Sequence, residues 1–386
     1  MTASILGIGT AVPDTRLTQD RVRDLLAAQP GIDRLARRLL DAAFGAAAID
    51  TRHTVLSELG GNPPSVLDVL IEPAQLRAPS TGERNAEYRR VAPALFAEAA
   101  RDALARSGVS ADAVTHVVTV SCTGLFAPGP DYLLVRDLGL SPATERYHLG
   151  FIGCAAALPG LRLASRITAA QPEAVVLVVA AELCSLHIRS SRDPEQIVAA
   201  SVFADGAAAA VVSADPALQR GRRLELTGFG TRLTDEGEDD MVWTIGDEGF
   251  EMTLTAQVPR IVGREIEAAV RSLFGGMDSV DAWAVHPGGR SILDRVEDGL
   301  GLPPDALEAS RDVLRRYGNM SSATILFVLQ QMMMGDERRD GERMAAIAFG
   351  PGLTIEAAQL VVRGVDASIL GAGDLVELVS GSAVAP

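Results

Sequence analysis

The chain contains no lysine: all 35 of the basic residues among its 386 are arginine. That absence removes several chemistries at once. There is no amine to contact phosphates in a P-loop, none to serve a kinase, and none to form a Schiff base with a carbonyl or with pyridoxal phosphate. Cysteine is scarce as well. Cys122, Cys154 and Cys184 stand about thirty residues apart with no C-x-x-C pair, which fits neither a zinc site nor a disulfide framework. Free thiols, a reducing compartment and no bound metal are the expectation. Positive charge is not in excess either: 50 acidic residues leave a formal charge of −15, which argues against a nucleic-acid partner. No apolar run approaches the roughly 18 to 20 residues needed to span a bilayer, and "MTASILGIGTAVPDTRL" lacks a basic region followed by a hydrophobic core. A cytoplasmic protein with no membrane span is expected.

What is present is a large apolar fraction, 47%, enough for two core-sized units or one two-lobed domain. Short β-rich runs alternate with helical stretches: "ASILGIG", "RVAPALFAEAARDALARSG", "AVTHVVTVSCTG", "EAVVLVVAAELC". This is the pattern of an α/β fold whose sheet is covered by helices on both faces. "RYHLGFIGCAAALPGLRL" and "RRYGNMSSATILFVL" match in outline: an Arg and Tyr, a Gly turn, then small residues opening a helix. Two similar halves, 1–213 and 222–386, are therefore expected. Residues 54–85, rich in Pro and Gly, interrupt the alternation and read as a surface cap. The acidic stretch 234–240 reads as a solvated loop.

Cys154 falls at the start of the "GCAAALPGLRL" helix, where unpaired N–H groups and the helix dipole favour a thiolate. A nucleophile needs a base, and there are five histidines to search. His116 lies inside an apolar run and reads as structural, while His53, His148 and His187 carry no distinguishing neighbours. His286 stands in "DAWAVHPGGRSIL" at a strand end, where α/β folds build their sites. Asn319 in "YGNMSSAT" precedes a helix, as a cap, and its amide could also face a developing negative oxygen. Cys, His and Asn are equally the pieces of a papain-like hydrolase, so the trio alone does not choose a reaction.

The order Cys154, His286, Asn319, together with "GIGTAVP", "TGLFAPGPDYLLVRDLGL", "SVFADGAAAAVV", "HPGG", "GNMSS" and "FGPGLTIE", resembles the type III polyketide synthases, the chalcone synthase-like branch of the thiolase superfamily. The resemblance covers essentially the whole chain. It implies a thiolase-like αβαβα core of two halves. It also implies that Cys154 is acylated by an acyl-CoA starter, that malonyl-CoA is decarboxylated to an enolate which extends it, and that His286 and Asn319 stabilise the enolate and oxyanion. No cofactor is implied beyond these substrates. Phe203 matches the gatekeeper phenylalanine, and Cys122, Thr123, Ala127, Ile188, Trp243, Met252, Ser321 and Gly352 correspond to the substrate cavity. Several of these are smaller or more apolar than in plant chalcone synthases, which looks more like the bacterial alkylresorcinol and alkylpyrone synthases and suggests fatty acyl starters. Trp243 should shorten the cavity in one direction. Arg52 and Arg290 are the candidates for contacting CoA, and a homodimer pairing near "TGLFAPGPD" is implied. A single-round ketoacyl synthase III-like enzyme shares the same trio and is the alternative.

Overall fold

The computed structural model describes residues 2–365 apart from 64, 66, 72–74, 336 and 337. The far end of the expected second half, beyond 365, lies outside the described residues. Nine strands form one mixed sheet: β1 Ser4–Ala11, β2 His116–Ser121, β3 Glu145–Gly150, β4 Val175–Leu183, β5 Asp205–Ser213, β6 Arg223–Leu233, β7 Ala282–Val285, β8 Arg343–Gly350 and β9 Thr354–Arg363. Their order is β7-β8-β9-β6-β1-β5-β4-β2-β3. The helices that position the site are α1 Thr81–Ser107, α2 Ala157–Ala170, α3 Pro194–Val202, α4 Val258–Phe274, α5 Arg290–Leu300 and α6 Thr324–Met334.

The first five strands in chain order and the last four stand on opposite sides of a single join, the short pairing of Ser4 and Ile5 with Glu225 and Leu224. Each half covers its outer face with its own helices. Long α1 lies on the first half, burying Tyr88, Phe96 and an alanine row beside Val117, Leu177 and Val179. Helices α4 and α5 lie on the second, burying Ile266, Val270 and Leu293 against Val285, Ile347 and Ala357. Between the two inner faces lie α2 and α6, whose Leu158, Leu161, Ile325 and Leu329 pack with Val118, Val178, Ala284 and Ala346 from both halves. The result is the expected succession of helix, sheet, helix, sheet, helix. Strand β4 is buried along its whole length, as a strand covered on both faces must be.

Small residues make the layers close. A Cβ on Gly9 of β1 would stand 2.1 Å from the backbone nitrogen of Ala103, so α1 lies directly on the strand there. The matched segments of the two halves do fold alike. A single 3₁₀ turn, Gly153–Ala155, leads into α2, and another, Ser321–Ala323, leads into α6. Both turns open at the same level of the central layer and pack against each other. The described part of 54–85 is more than a cap, since Leu56, Leu59, Leu67 and Val69 are buried in the core beneath α1.

Candidate active site

Strand β3 ends at Gly150, and the chain then turns sharply: Phe151 adopts φ 57° and Gly153 φ 78°. A Cβ at Gly153 would meet the Pro351 ring at 2.4 Å, so the turn closes against the second half only with glycine. Cys154 follows at 7% exposure. Its thiol is pushed up to about 11 by burial and by the charge of Glu182, against the opposing pull of hydrogen bonds from Ser321 and Asn319. The cysteine sits in the 3₁₀ turn ahead of α2 and not on the first turn of the helix itself, and burial works against the thiolate that a helix start would favour.

His286 follows β7, where its backbone N–H donates to Ile347 at 2.8 Å. The ring is 1% exposed, and neither nitrogen has a hydrogen-bond partner among the described residues. Burial lowers its pKa to about 3, so the free imidazole is neutral. Asn319 is held on both sides. Its Oδ1 accepts from the Ser321 N–H at 2.8 Å, closing a local turn two residues long, and its Nδ2 donates to the Gly288 carbonyl at 3.1 Å. The expected helix cap is not what it forms, since Met320 and Ala323 hold the cap positions of the 3₁₀ turn and of α6. The amide so held lies close enough to Cys154 to favour its thiolate, against the larger effect of burial. Cys154, His286 and Asn319 line one cavity together.

Two cavities meet at Cys154. The one called inner, about 100 Å³, is walled by Leu17, Val22, Leu59, Cys122, His187 and Trp243 among others. The other, called outer, about 380 Å³, is lined by His286 and Asn319 and also by Arg260 on α4 and Arg295 on α5. Phe203 and Met252 line both. Cys122, Thr123, Ile188, Trp243 and Ser321 line the inner cavity. Trp243 is fixed there, its Nε1 donating to the Cys122 carbonyl at 2.8 Å.

Four assignments fall elsewhere. Ala127 is exposed, in a loop with a cis Ala127–Pro128 bond, and does not line this chain's cavity. Gly352 lies beside the lining residue Pro351 without lining the cavity itself. Arg290 points to solvent and pairs with Asp294 at 3.5 Å. Arg52 is only 4% exposed, with its guanidinium spent on main-chain carbonyls, so it is not free to meet a phosphate.

Other residues were invisible as a site in the sequence. His187, one position before Ile188, presents the polar edge of the wall: Nε2–H donates to the Thr123 carbonyl at 2.9 Å and Nδ1 accepts from the Phe250 N–H at 3.0 Å. Its ring stacks on Phe250 at 4.4 Å, and Trp243 meets both edge-on. Burial holds His187 neutral, with a pKa near 3, lowered to about 3. Glu182 is fully buried and accepts from Cys122 N–H, Thr123 and Ser322 at 2.9, 2.8 and 2.6 Å. A single acid in the apolar run "VVLVVAAELC" was the signal for it, because a buried carboxylate must be hydrogen-bonded.

The geometry separates the two reactions that Cys, His and Asn can serve. In a papain-like relay the amide orients the imidazole, with nucleophile, base and amide in series. Here the Asn319 amide is occupied by Ser321 and Gly288 and leaves His286 unpartnered. The serial arrangement of the papain relay is therefore not found among the described residues, while imidazole and amide line the same cavity as the sulfur.

The chalcone and stilbene synthases' N-terminal domain signature matches residues 1–216, and their C-terminal domain signature matches residues 231–366. Type III polyketide synthase 21 of Oryza sativa subsp. japonica is 36% identical over 383 residues, covering 94% of each chain. Probable polyketide synthase 1 of Dictyostelium discoideum is 31% identical over 369 residues, 92% of this chain, but the chain spans only 11% of that larger protein. Among solved structures, the C-terminal type III polyketide synthase domain of Steely1, a type I/III hybrid from Dictyostelium, superposes with a TM-score of 0.85 at 30% identity, covering 95% of this chain and 100% of that one.

The protonated resting thiol yields a pH prediction. At neutral pH Cys154 needs a base, and above about 11 it does not. His286→Ala should slow alkylation of Cys154 by iodoacetamide by about 10²- to 10⁴-fold at pH 7, with the deficit shrinking as pH rises. Intact-protein mass followed over time across a pH series checks this, and an equal deficit at every pH would show that His286 is not the base.

Proposed function

The chain belongs to the chalcone and stilbene synthase family, the type III polyketide synthases, and from that premise we propose the course of its reaction, its starter and its assembly. It is a decarboxylating acyltransferase by family. The Cys154 thiol gives its proton to His286 and attacks the thioester carbonyl of an acyl-CoA, and the CoA sulfur leaves. Malonyl-CoA then occupies the outer cavity. Loss of CO₂ leaves an electron pair on its α-carbon, delocalised onto the thioester oxygen between His286 and the Asn319 amide. The carbon attacks the acyl-cysteine, and the Cys154 sulfur departs to be reloaded for the next round. The observation that supports this is that Cys154, His286 and Asn319 line one cavity, His286 with both ring nitrogens unpartnered among the described residues and Asn319 held by Ser321 and Gly288. A single-round condensing enzyme is not favoured, since the relatives above are polyketide synthases.

The starter is an aliphatic acyl chain, and the product an alkylresorcinol or alkylpyrone. The aromatic cluster of His187, Trp243 and Phe250 fills one side of the inner cavity, while Leu17, Val22 and Leu59 offer an apolar wall on the other. Each buried CH₂ contributes about 0.8 kcal/mol, so affinity should rise with chain length until that wall ends. Intact mass should show fatty acyl adducts on the parent and none on Cys154→Ala. With malonyl-CoA, products carrying several added ketide units are expected. Val22→Phe should shorten the preferred starter without stopping malonyl-CoA decarboxylation. A preference for coumaroyl-CoA, or an unchanged length profile, would contradict the assignment.

For the phosphates of CoA, Arg260 and Arg295 replace Arg52 and Arg290 as candidates, because they line the outer cavity. Arg260 reaches only Gln257, at 3.4 Å, and Arg295 meets Asp298 at 4.0 Å with half of its side chain exposed. Exposed ionic contacts are worth roughly 0.2 to 1 kcal/mol and are screened by salt. Arg260→Ala and Arg295→Ala should each raise the KM for malonyl-CoA by about 2- to 5-fold with kcat unchanged, an effect that fades in high salt. Steady-state kinetics at two ionic strengths measures it.

A homodimer fits the exposed edge of the sheet. Strand β3 is the last strand, and its first four residues, Glu145 to His148, are exposed although Cys154 follows shortly after. Such an open edge ordinarily finds a partner or a guard. Tyr147 and, on the loop 124–129, Leu125 add apolar surface to the same molecule. Light scattering at micromolar concentration should give twice the monomer mass; a monomer would refute this pairing.

A further inference from the structure

Arg52 is a cation placed where a sequence reading expects a ligand contact and the structure shows none. It lies on the short strand Thr51–Thr54, paired with Leu17, and its side chain passes inward. Nη1 donates to the carbonyls of Ala200 and Phe203, each at 2.8 Å. Nη2 donates to the Ser201 carbonyl at 2.6 Å and to Gln19 Oε1. Gln19 in turn donates to the same Ser201 carbonyl at 2.8 Å. These carbonyls close α3, where unpaired acceptors and the negative end of the helix dipole offset a buried positive charge.

The same segment holds Asn319 with its alternate residues. The Asn319 N–H donates to Val202 at 2.8 Å, and its carbonyl accepts from the Ala204 N–H at 2.9 Å. Residues 200, 201 and 203 thus belong to Arg52, and 202 and 204 to Asn319. The arginine strand also grips the other approach to that asparagine. Asp50 N–H donates to the Arg315 carbonyl and Thr51 Oγ1 to that of Arg316, both at 2.8 Å. A Cβ at Gly318 would lie 3.6 Å from Arg52 Cβ.

We propose that Arg52 is a positioning residue, whose planar fork sets the Asn319 amide and the Phe203 ring at their places beside Cys154. Only a guanidinium reaches four acceptors from two ends of one plane; an ammonium is a point charge with its donors at one atom. The inference rests on the reading of Asn319 as the enolate donor.

The test compares Arg52→Lys, Asn319→Ala and the double variant in malonyl-CoA decarboxylation, with thermal unfolding run alongside. Asn319→Ala should lower kcat by about 10²- to 10³-fold, the usual cost of one lost oxyanion donor. Arg52→Lys should lower kcat by about tenfold or more with the KM for malonyl-CoA within about 3-fold, and by less than about 2-fold when Asn319 is already Ala, as expected of coupled residues. If Arg52→Lys does not fold, Gln19→Leu, which removes one arm of the clamp, should show the same pattern at smaller size. Equal losses in both backgrounds, an unchanged kcat, or a salt-dependent rise in KM alone would overturn the proposal. Unchanged decarboxylation in Asn319→Ala would instead remove the reading of the site on which it stands.

Discussion

Burial of an imidazole that has no partner is the constraint around which this site is arranged. His286 is closed off from water, with both ring nitrogens unsatisfied by the described residues, and burial alone brings its pKa to about 3. Cys154, equally buried, is driven the other way. Each group alone stays neutral, so charge can arise here only as a pair or on a bound oxygen that both donors reach. That is a useful state for decarboxylation. In the proposed reaction the developing enolate would meet donors already in position, and interactions between groups this buried are stronger than in solvent.

Two matched 3₁₀ turns make the place possible. One from each half delivers its functional residues at the start of a central-layer helix, Cys154 from the first and Asn319 with Ser321 from the second. Glu182 ties the two together from beneath, accepting from Cys122 and Thr123 on one side and Ser322 on the other. Burial raises its pKa despite those hydrogen bonds. A second buried charge, Arg52, gathers the end of α3. Neither ion has a direct counter-ion among these contacts, and both are made tolerable by several hydrogen bonds to fixed groups. Removing an acceptor or donor from either would leave a charge stranded, which is costlier than the loss of an ordinary contact.

The cavity wall follows a different logic, because its shape comes from polar atoms used as struts. Trp243 Nε1 to Cys122, Phe250 N–H to His187, and Gln196 Nε2 to Met252 at 2.6 Å hold the hairpin Met241–Leu254 across the inner cavity. The rings so fixed give the wall a stiff aromatic part beside the aliphatic Leu17, Val22 and Leu59.

How much of this was legible beforehand depends on the kind of residue. The trio was legible because each member sits at a punctuation mark: Cys154 after Gly153, His286 before Pro287 and two glycines, Asn319 after Gly318. Turn residues announce the ends of strands and helices, and those ends are where side chains can converge. The pair of turns leading into central helices was legible from the repeated turn-and-helix segments, and the layered fold from apolar runs. Direction and partnership were not. Nothing local distinguishes Arg52, which turns inward to α3, from Arg260, which looks into the outer cavity, since both are arginines in mixed surroundings. His187 and Ile188 are neighbours in the chain, yet the polar strut falls to the first, and the acid in "AAELC" shows its purpose only once Thr123 and Ser322 arrive beside it. The sequence by itself determined which groups exist and where the backbone turns. Whether a charge meets water, a carbonyl or a ligand was decided by tertiary packing, because desolvation and hydrogen-bond geometry depend on residues far away in the chain.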